Sequence, residues 1–264
     1  MDKKEALKNF LRLLQIVEKL RGPDGCPWDK KQTHETLLPY FLEEAYEVIE
    51  SIDTKNWGNL EEELGDVLLH VVLQNQIAEE DNKFNISDSI NGLNKKLIRR
   101  HPHVFSDDKE NNGISARRNW EEIKHEEKKR KSRLDGVPLS LPALIRAQRL
   151  QEKASHTGFD WSKIDDAWDK MDEEIEELKC AIENQDIENM QEEIGDVLFS
   201  IVNISRKLNF PAEDMLRQAN KKFENRFKGI ERVLKSRGEK IEETSLEEME
   251  KIWENQKNKI KVSF

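Results

Sequence analysis

The chain has 264 residues, of which 37% are charged and 36% hydrophobic, with a formal net charge of -10. That length allows two modest cores, and no apolar run approaches the roughly 20 residues that a membrane-spanning helix needs. The negative balance argues against general nucleic-acid binding, in which Lys and Arg neutralise phosphate.

Two cysteines, Cys26 and Cys180, with no CxxC spacing, support neither a disulfide framework nor a zinc site. The expectation is a cytoplasmic chain with reduced thiols and no membrane or nucleic-acid partner. At the N-terminus, MDKKEALKNFLRLLQIVEKL alternates charge with Leu and Ile in helical rhythm, unlike a secretory signal with its unbroken apolar core. RGPDGCP at 21–27 breaks that rhythm. FLEEAYEVIE at 41–50 and LEEELGDVLLHVVL at 60–73 read as two acidic helices, and SIDTKNWGN at 51–59 is polar enough to turn an α-hairpin between them. A basic helix with NKKLIRR at 94–100 follows, then HPH at 101–103 and WEEIK at 120–124. KHEEKKRKSR at 124–133 reads as a solvated helix end, and DGVPLSLP at 135–142 as the break between two halves. The fold class expected is all-α, with domains at 1–135 and 143–264 and a linker at 136–142.

The second half repeats the first. An offset of 130 aligns residues 43–74 with 173–204 without a gap, and 12 of the 32 pairs are identical, among them Glu43/Glu173, Glu44/Glu174, Glu47/Glu177, Glu63/Glu193, Gly65/Gly195 and Asp66/Asp196. The Asn-Lys-Lys of the basic helix recurs, with Lys96 and Arg100 echoed by Lys222 and Arg226. Trp120 and Lys124 are echoed by Trp253 and Lys257. Such self-similarity marks a duplicated structural unit.

Residues three and four apart share a helix face, so Glu44 with Glu47, Glu63 with Asp66, Glu174 with Glu177 and Glu193 with Asp196 form carboxylate pairs that a hairpin brings together. Four convergent carboxylates repel unless a cation lies among them, and Mg²⁺ suits an all-oxygen donor set. Lys96, Arg100, Lys222 and Arg226 then suit phosphate oxygens. Leu60, Leu64, Val67, Leu68, Val71 and Val72 are expected to pack the hairpin into a bundle, and Gly65 and Gly195 to mark a close helix crossing. His70 is set aside as a ligand because its counterpart is Ser200. No GxxxxGK[ST] loop is present, Gly58 and Asn59 stand where a Nudix box needs Arg-Glu, and only Glu122 to His125 fits a di-iron Glu-x-x-His. Trp28, Trp120, Trp161 and Trp253 suit either stacking on a base or burial in a core.

RGPDGCPWDKKQTHETL, FLEEAYEVIE, NKKLIRRHPHVF, PALIRAQRLQEKASHTGFDW and EEIGDVLFSIVN together resemble the signature stretches of the MazG-type all-α nucleoside triphosphate pyrophosphohydrolases, over nearly the whole chain. The resemblance implies a tandem pair of helical-bundle domains, dimerising through like halves. It also implies cleavage of ribo- and deoxynucleoside triphosphates between the α and β phosphates, with Mg²⁺ or Mn²⁺. The family's carboxylate motifs fall on Glu43, Glu44, Glu47, Glu63 and Asp66 and on Glu173, Glu174, Glu177, Glu193 and Asp196.

Where the residues alone leave the halves tied, the resemblance makes the C-terminal domain the main catalytic one. Glu174, Glu177, Glu193 and Asp196 become its expected metal ligands, with Glu173 beside Glu174 and Glu193 in the reaction and Lys222, Arg226, Trp253 and Lys257 on the nucleotide. Ser155, His156 and Thr157 depart from the small or apolar residues common in relatives. The alternative from the residues is a helical regulatory or scaffold protein that binds nucleotide without turnover.

Overall fold

The structure is a computed structural model and describes residues 2–105 and 131–261. Among the described residues there is no strand, and the chain divides into two compact units after Trp120. The first contains α1 (Lys3–Arg21), α2 (Pro27–Lys31), α3 (Leu38–Asp53), α4 (Trp57–Glu80), α5 (Ile86–Arg100) and α6 (Pro102–Phe105). The second contains α7 (Ala143–Ser155), α8 (Ile164–Glu183), α9 (Ile187–Lys207), α10 (Ala212–Arg237) and α11 (Leu246–Lys261), with a 3₁₀ turn at Ile241–Glu243. Residues 131–142, which include the expected linker, group with the second unit, where Lys153 donates to the carbonyl of Arg133 at 3.3 Å. No described helix is long and apolar enough to cross a membrane.

Each unit is organised on one antiparallel hairpin, α3 against α4 and α8 against α9. The two connecting turns are copies at backbone level. Lys55 and Gln185 take left-handed φ values of 54° and 56°. Asn56 N donates to the Ser51 carbonyl at 2.9 Å and Asp186 N to the Ala181 carbonyl at 3.0 Å, so the last carbonyls of α3 and α8 are satisfied in the same way. The helix that follows is then capped by a short polar side chain, because Asn56 accepts from Asn59 N and Asp186 from Asn189 N. The next turns repeat as well, with Asn82 and Asn209 at φ 54° and 60°.

α1 packs on the outer side of α4, where Val17, Leu37, Val72, Leu73 and Ile77 form the first core with Phe10, Leu13, Leu14 and Leu69 around it. Arg21 staples the far end of α4 to the loop before the hairpin. It reaches Glu80 at 2.7 Å and donates to the carbonyls of Asp29 and Gln32. In the second unit Arg206, near the end of α9, reaches Asp160 at 2.6 Å. There α7 lies on α9 and α10, and Ile230, Leu234 and Ile252 close a core between α10 and α11 with Val233, Ile241, Met249 and Trp253.

Two sequence expectations are corrected by this packing. The face expected to build the bundle is only partly internal: Val72 is buried, but Leu64, Leu68 and Val71 stay 52%, 40% and 39% exposed, because α1 covers the neighbouring face of α4 instead. The close helix crossing expected at Gly65 and Gly195 has no partner among the described residues, since a Cβ at either position would meet nothing within 4 Å.

The left-handed turns carry a prediction. A non-glycine residue there is strained by roughly 1–2 kcal/mol, partly offset by glycine's greater freedom in the unfolded chain. Lys55→Gly and Gln185→Gly are each expected to raise stability by about 0.5–1 kcal/mol in urea unfolding, and a loss of stability would show that these side chains hold the turn.

Candidate metal centre

The hairpins bring carboxylates together across each pair of helices. In the first unit one oxygen from each of Glu44, Glu63 and Asp66 lies within 4.8 Å of the others, and in the second the same holds for Glu174, Glu177 and Glu193. The fourth acid stays within electrostatic reach, Glu47 beside Glu44 and Asp196 beside Glu193. Glu43 and Glu173 project to solvent one position before each trio.

Crowding like charges in a half-dry cleft has the expected effect on protonation. Burial, then Asp66, Glu47 and Glu63, push the Glu44 carboxyl up to about 7. Burial with Glu47, Glu62 and Asp66 raises Glu63, and burial with Glu177 and Glu174 raises Glu193. Glu44 also shares a hydrogen bond with Glu47. Among the described residues, Oε2 of Glu193 is buried without a hydrogen-bond partner. An orphaned buried carboxylate oxygen facing other carboxylates fits a divalent cation with oxygen ligands, so both trios pass the chemical test for Mg²⁺ or Mn²⁺.

The two clusters differ in one residue that the sequence analysis did not single out. Lys170 lies one turn before Glu174 on α8, and its Nζ meets Glu173 at 2.8 Å and Glu174 at 2.7 Å. Those carboxylates hold the Lys170 ammonium well above its ordinary range. The first-half counterpart, at the same offset, is Tyr40. The second cluster therefore carries a cation of its own beside Glu174, which is only 5% exposed, whereas the first has none in that place. The signal was present as a Lys three and four positions ahead of two acids, but this chain is full of such spacings.

The expected nucleotide contacts are distributed unevenly. On α10, Lys222 is exposed and Arg226 is half-buried, with its guanidinium carbon 5.3 Å from the centre of the Trp253 ring and its Nε buried without a hydrogen-bond partner. Trp253 also leans on Phe223 at 5.4 Å, so it serves the α10–α11 core on one side and a cation on the other. Lys257 is ion-paired with Glu254 at 3.2 Å. In the first unit Lys96 is exposed on α5 and Arg100 is buried at its end. Trp120 and Lys124 lie outside the described residues. Trp28 and Trp161 are 53% and 41% exposed, and Trp28 stands edge-on to Tyr40.

The MazG nucleotide pyrophosphohydrolase domain matches the chain twice, at residues 32–105 and 167–230, which take in both carboxylate trios. A nucleoside triphosphate pyrophosphohydrolase/pyrophosphatase MazG of Thermotoga maritima is 50% identical over 96% of this chain and 98% of its own length. A nucleoside triphosphate pyrophosphohydrolase of Escherichia coli is 43% identical over 93% of the chain and 96% of its own. One of Mycobacterium tuberculosis is 37% identical over 54% of the chain and 44% of its own. With both carboxylate trios inside the matched segments, the chain belongs to the MazG nucleotide pyrophosphohydrolase family, a family of hydrolytic enzymes, in its tandem all-α form.

Proposed function

We propose that this chain hydrolyses ribo- and deoxynucleoside triphosphates between the α and β phosphates, releasing the monophosphate and pyrophosphate, with Mg²⁺ or Mn²⁺ as cofactor. The observation that carries the reading is the second carboxylate trio, with its orphaned Glu193 oxygen and its attendant Lys170. Glu174, Glu177 and Glu193, with Asp196 beside them, would hold the ion. When bound, a divalent cation supplies Lewis acidity to phosphate oxygens and neutralises the charge that develops on them.

The protein's own groups do the rest. Lys170, held beside Glu173 and Glu174, would offer its ammonium to a phosphate oxygen as a point charge. Glu173, exposed at the edge of the cluster, would accept a proton from the attacking water. Arg226, braced over Trp253, and Lys222 on the same helix serve the phosphates, Trp253 offers its ring to the base, and Lys257 stands near the nucleotide. Glu44, Glu47, Glu63 and Asp66 form the matching ion site of the first half, with Lys96 and Arg100, and Trp120 and Lys124 beyond the described residues, as its expected phosphate and base contacts. The free thiols Cys26 and Cys180 suit a reducing compartment, in keeping with a cytoplasmic enzyme.

We read the working form as a homodimer built from like halves. Leu64, Leu68, Ile194 and Leu198 are all 40% exposed or more, and they flank Gly65 and Gly195, whose missing side chains face open space. A helix-interior glycine costs about 1 kcal/mol against alanine, which a close crossing with a second copy would offset. Apolar surface of this kind is commonly covered in solution.

Three outcomes are expected. ATP or dATP incubated with the protein and Mg²⁺ yields AMP or dAMP and pyrophosphate, and excess chelator stops turnover; diphosphate and orthophosphate as main products, or full activity in chelator, would overturn the reading. Glu193→Gln lowers kcat by about 10²-fold or more, the scale of losing one preorganised electrostatic group, while Glu63→Gln keeps most activity; the reverse order would move the catalytic role to the first half. Light scattering at micromolar concentration gives a dimer mass, and Gly195→Leu shifts it toward monomer; a fully active monomer sinks the dimer.

A further inference from the structure

In the second unit an ammonium already holds one of the acids that a metal ion would need. On α8 the Nζ of Lys170 meets Glu174 at 2.7 Å and Glu173 at 2.8 Å. Pairs of similar spacing are common along this chain, as in Lys179 with Glu176 and Lys240 with Glu243, but there both partners are exposed and water screens them. Lys170 differs in its partner. The Glu174 side chain is 7% exposed, against 69% for Glu176. Screening falls as a charge is withdrawn from water, so the ammonium is held more firmly by Glu174 than by an exposed acid.

Glu174 is also the point at which Lys170 reaches the rest of the cluster. It shares a hydrogen bond with Glu193, and its carboxylate belongs to the trio whose oxygens lie within 4.8 Å of one another. A divalent cation among the three would stand beside an ammonium that engages one of its ligands. Like charges at that spacing repel, and a carboxylate shared with an ammonium has less charge to give a second cation.

The first unit is built without this device. At the same offset stands Tyr40, whose ring lies edge-on to Trp28 with centroids 6.0 Å apart. A phenol brings no charge at neutral pH. The groups that act on Glu44 are the acids Asp66, Glu47 and Glu63.

We propose that Lys170 is a built-in competitor for the divalent cation of the second centre: its ammonium occupies Glu174 and sets the affinity for a free ion below what the acids alone would give. The proposal rests on the reading of the two trios as ion ligands. One position, Lys170 in the second half and Tyr40 in the first, then tunes how readily each centre fills from solution.

The test titrates Mn²⁺ into the full-length protein at about pH 8, above the value of about 7 to which Glu44 is pushed, and reads binding by calorimetry and by electron paramagnetic resonance of the free ion. Glu63→Gln leaves the second centre to be read alone, and Glu193→Gln the first, with circular dichroism verifying that each variant is folded. On the Glu63→Gln background Lys170→Met is expected to tighten Mn²⁺ binding about threefold or more, the scale of one partly buried ion pair, while Lys170→Arg stays within about twofold of its parent. Lys179→Met removes the same charge from an exposed pair on the same helix and is expected to leave the affinity unchanged. On the Glu193→Gln background Tyr40→Lys is expected to weaken Mn²⁺ binding about threefold or more relative to Tyr40→Met, which loses the ring without gaining the charge. No gain from Lys170→Met overturns the proposal, as does an equal gain from Lys179→Met, which would make the effect one of net charge. Tyr40→Lys binding like Tyr40→Met overturns it too. Undiminished Mn²⁺ binding in the double variant Glu63→Gln/Glu193→Gln removes the ion reading and the proposal together, whereas binding lost there with no effect at Lys170 removes the proposal alone.

Discussion

Each half of this molecule is arranged around a repulsion. Turning α3 back on α4, and α8 back on α9, forces acidic side chains from both helices into one narrow space, where burial and mutual charge raise the carboxyl groups of Glu44, Glu63 and Glu193 above their ordinary range. Unpaired like charges at this spacing oppose the hairpin that creates them. The fold tolerates the cluster because α1 and its core hold α4 from behind in the first unit, and because α7 and α10 hold α9 in the second. Stability is thus supplied by apolar surfaces on the outer faces and drawn down at the inner one, a division typical of sites that bind something charged.

The halves resolve the repulsion differently. In the second unit Lys170 lies between Glu173 and Glu174, so part of the positive charge the cluster requires is already within the chain. In the first, Tyr40 holds that position, and burial with the neighbouring acids pushes the Glu44 carboxyl up to about 7. A lysine is a mobile counterion that leaves for a better partner without changing the local proton count. The two clusters, alike in their acids, therefore differ in how their charge is balanced.

Much of this was legible in the sequence because the duplication made chance improbable. Matching acids in both copies locate the hairpins, the turns and the facing carboxylates. The backbone detail was not legible. Lys55 and Gln185 adopt a left-handed conformation that neither residue type advertises, and it is the bonding of Ser51 and Ala181 that requires it. Lys170 was hidden for the opposite reason, since pairs such as Lys179 with Glu176 and Lys240 with Glu243 have the same spacing and lie at the surface. Gly65 and Gly195 suggest a close helix crossing, yet a helix sequence states only that a face is smooth and not what will lie against it.

The hairpins also bear on how the chain reaches this state. In each unit the largest interface joins two helices adjacent in sequence, linked by a turn whose hydrogen bonds span only a few residues. Local topology of this sort carries a small loop-closure entropy and correspondingly fast assembly. Nascent chain emerging from a ribosome can close the first hairpin long before the second exists, and the second can close on its own account. An inherited duplication of such a unit starts life already foldable, which leaves each copy room to drift in its chemistry while its turns stay the same.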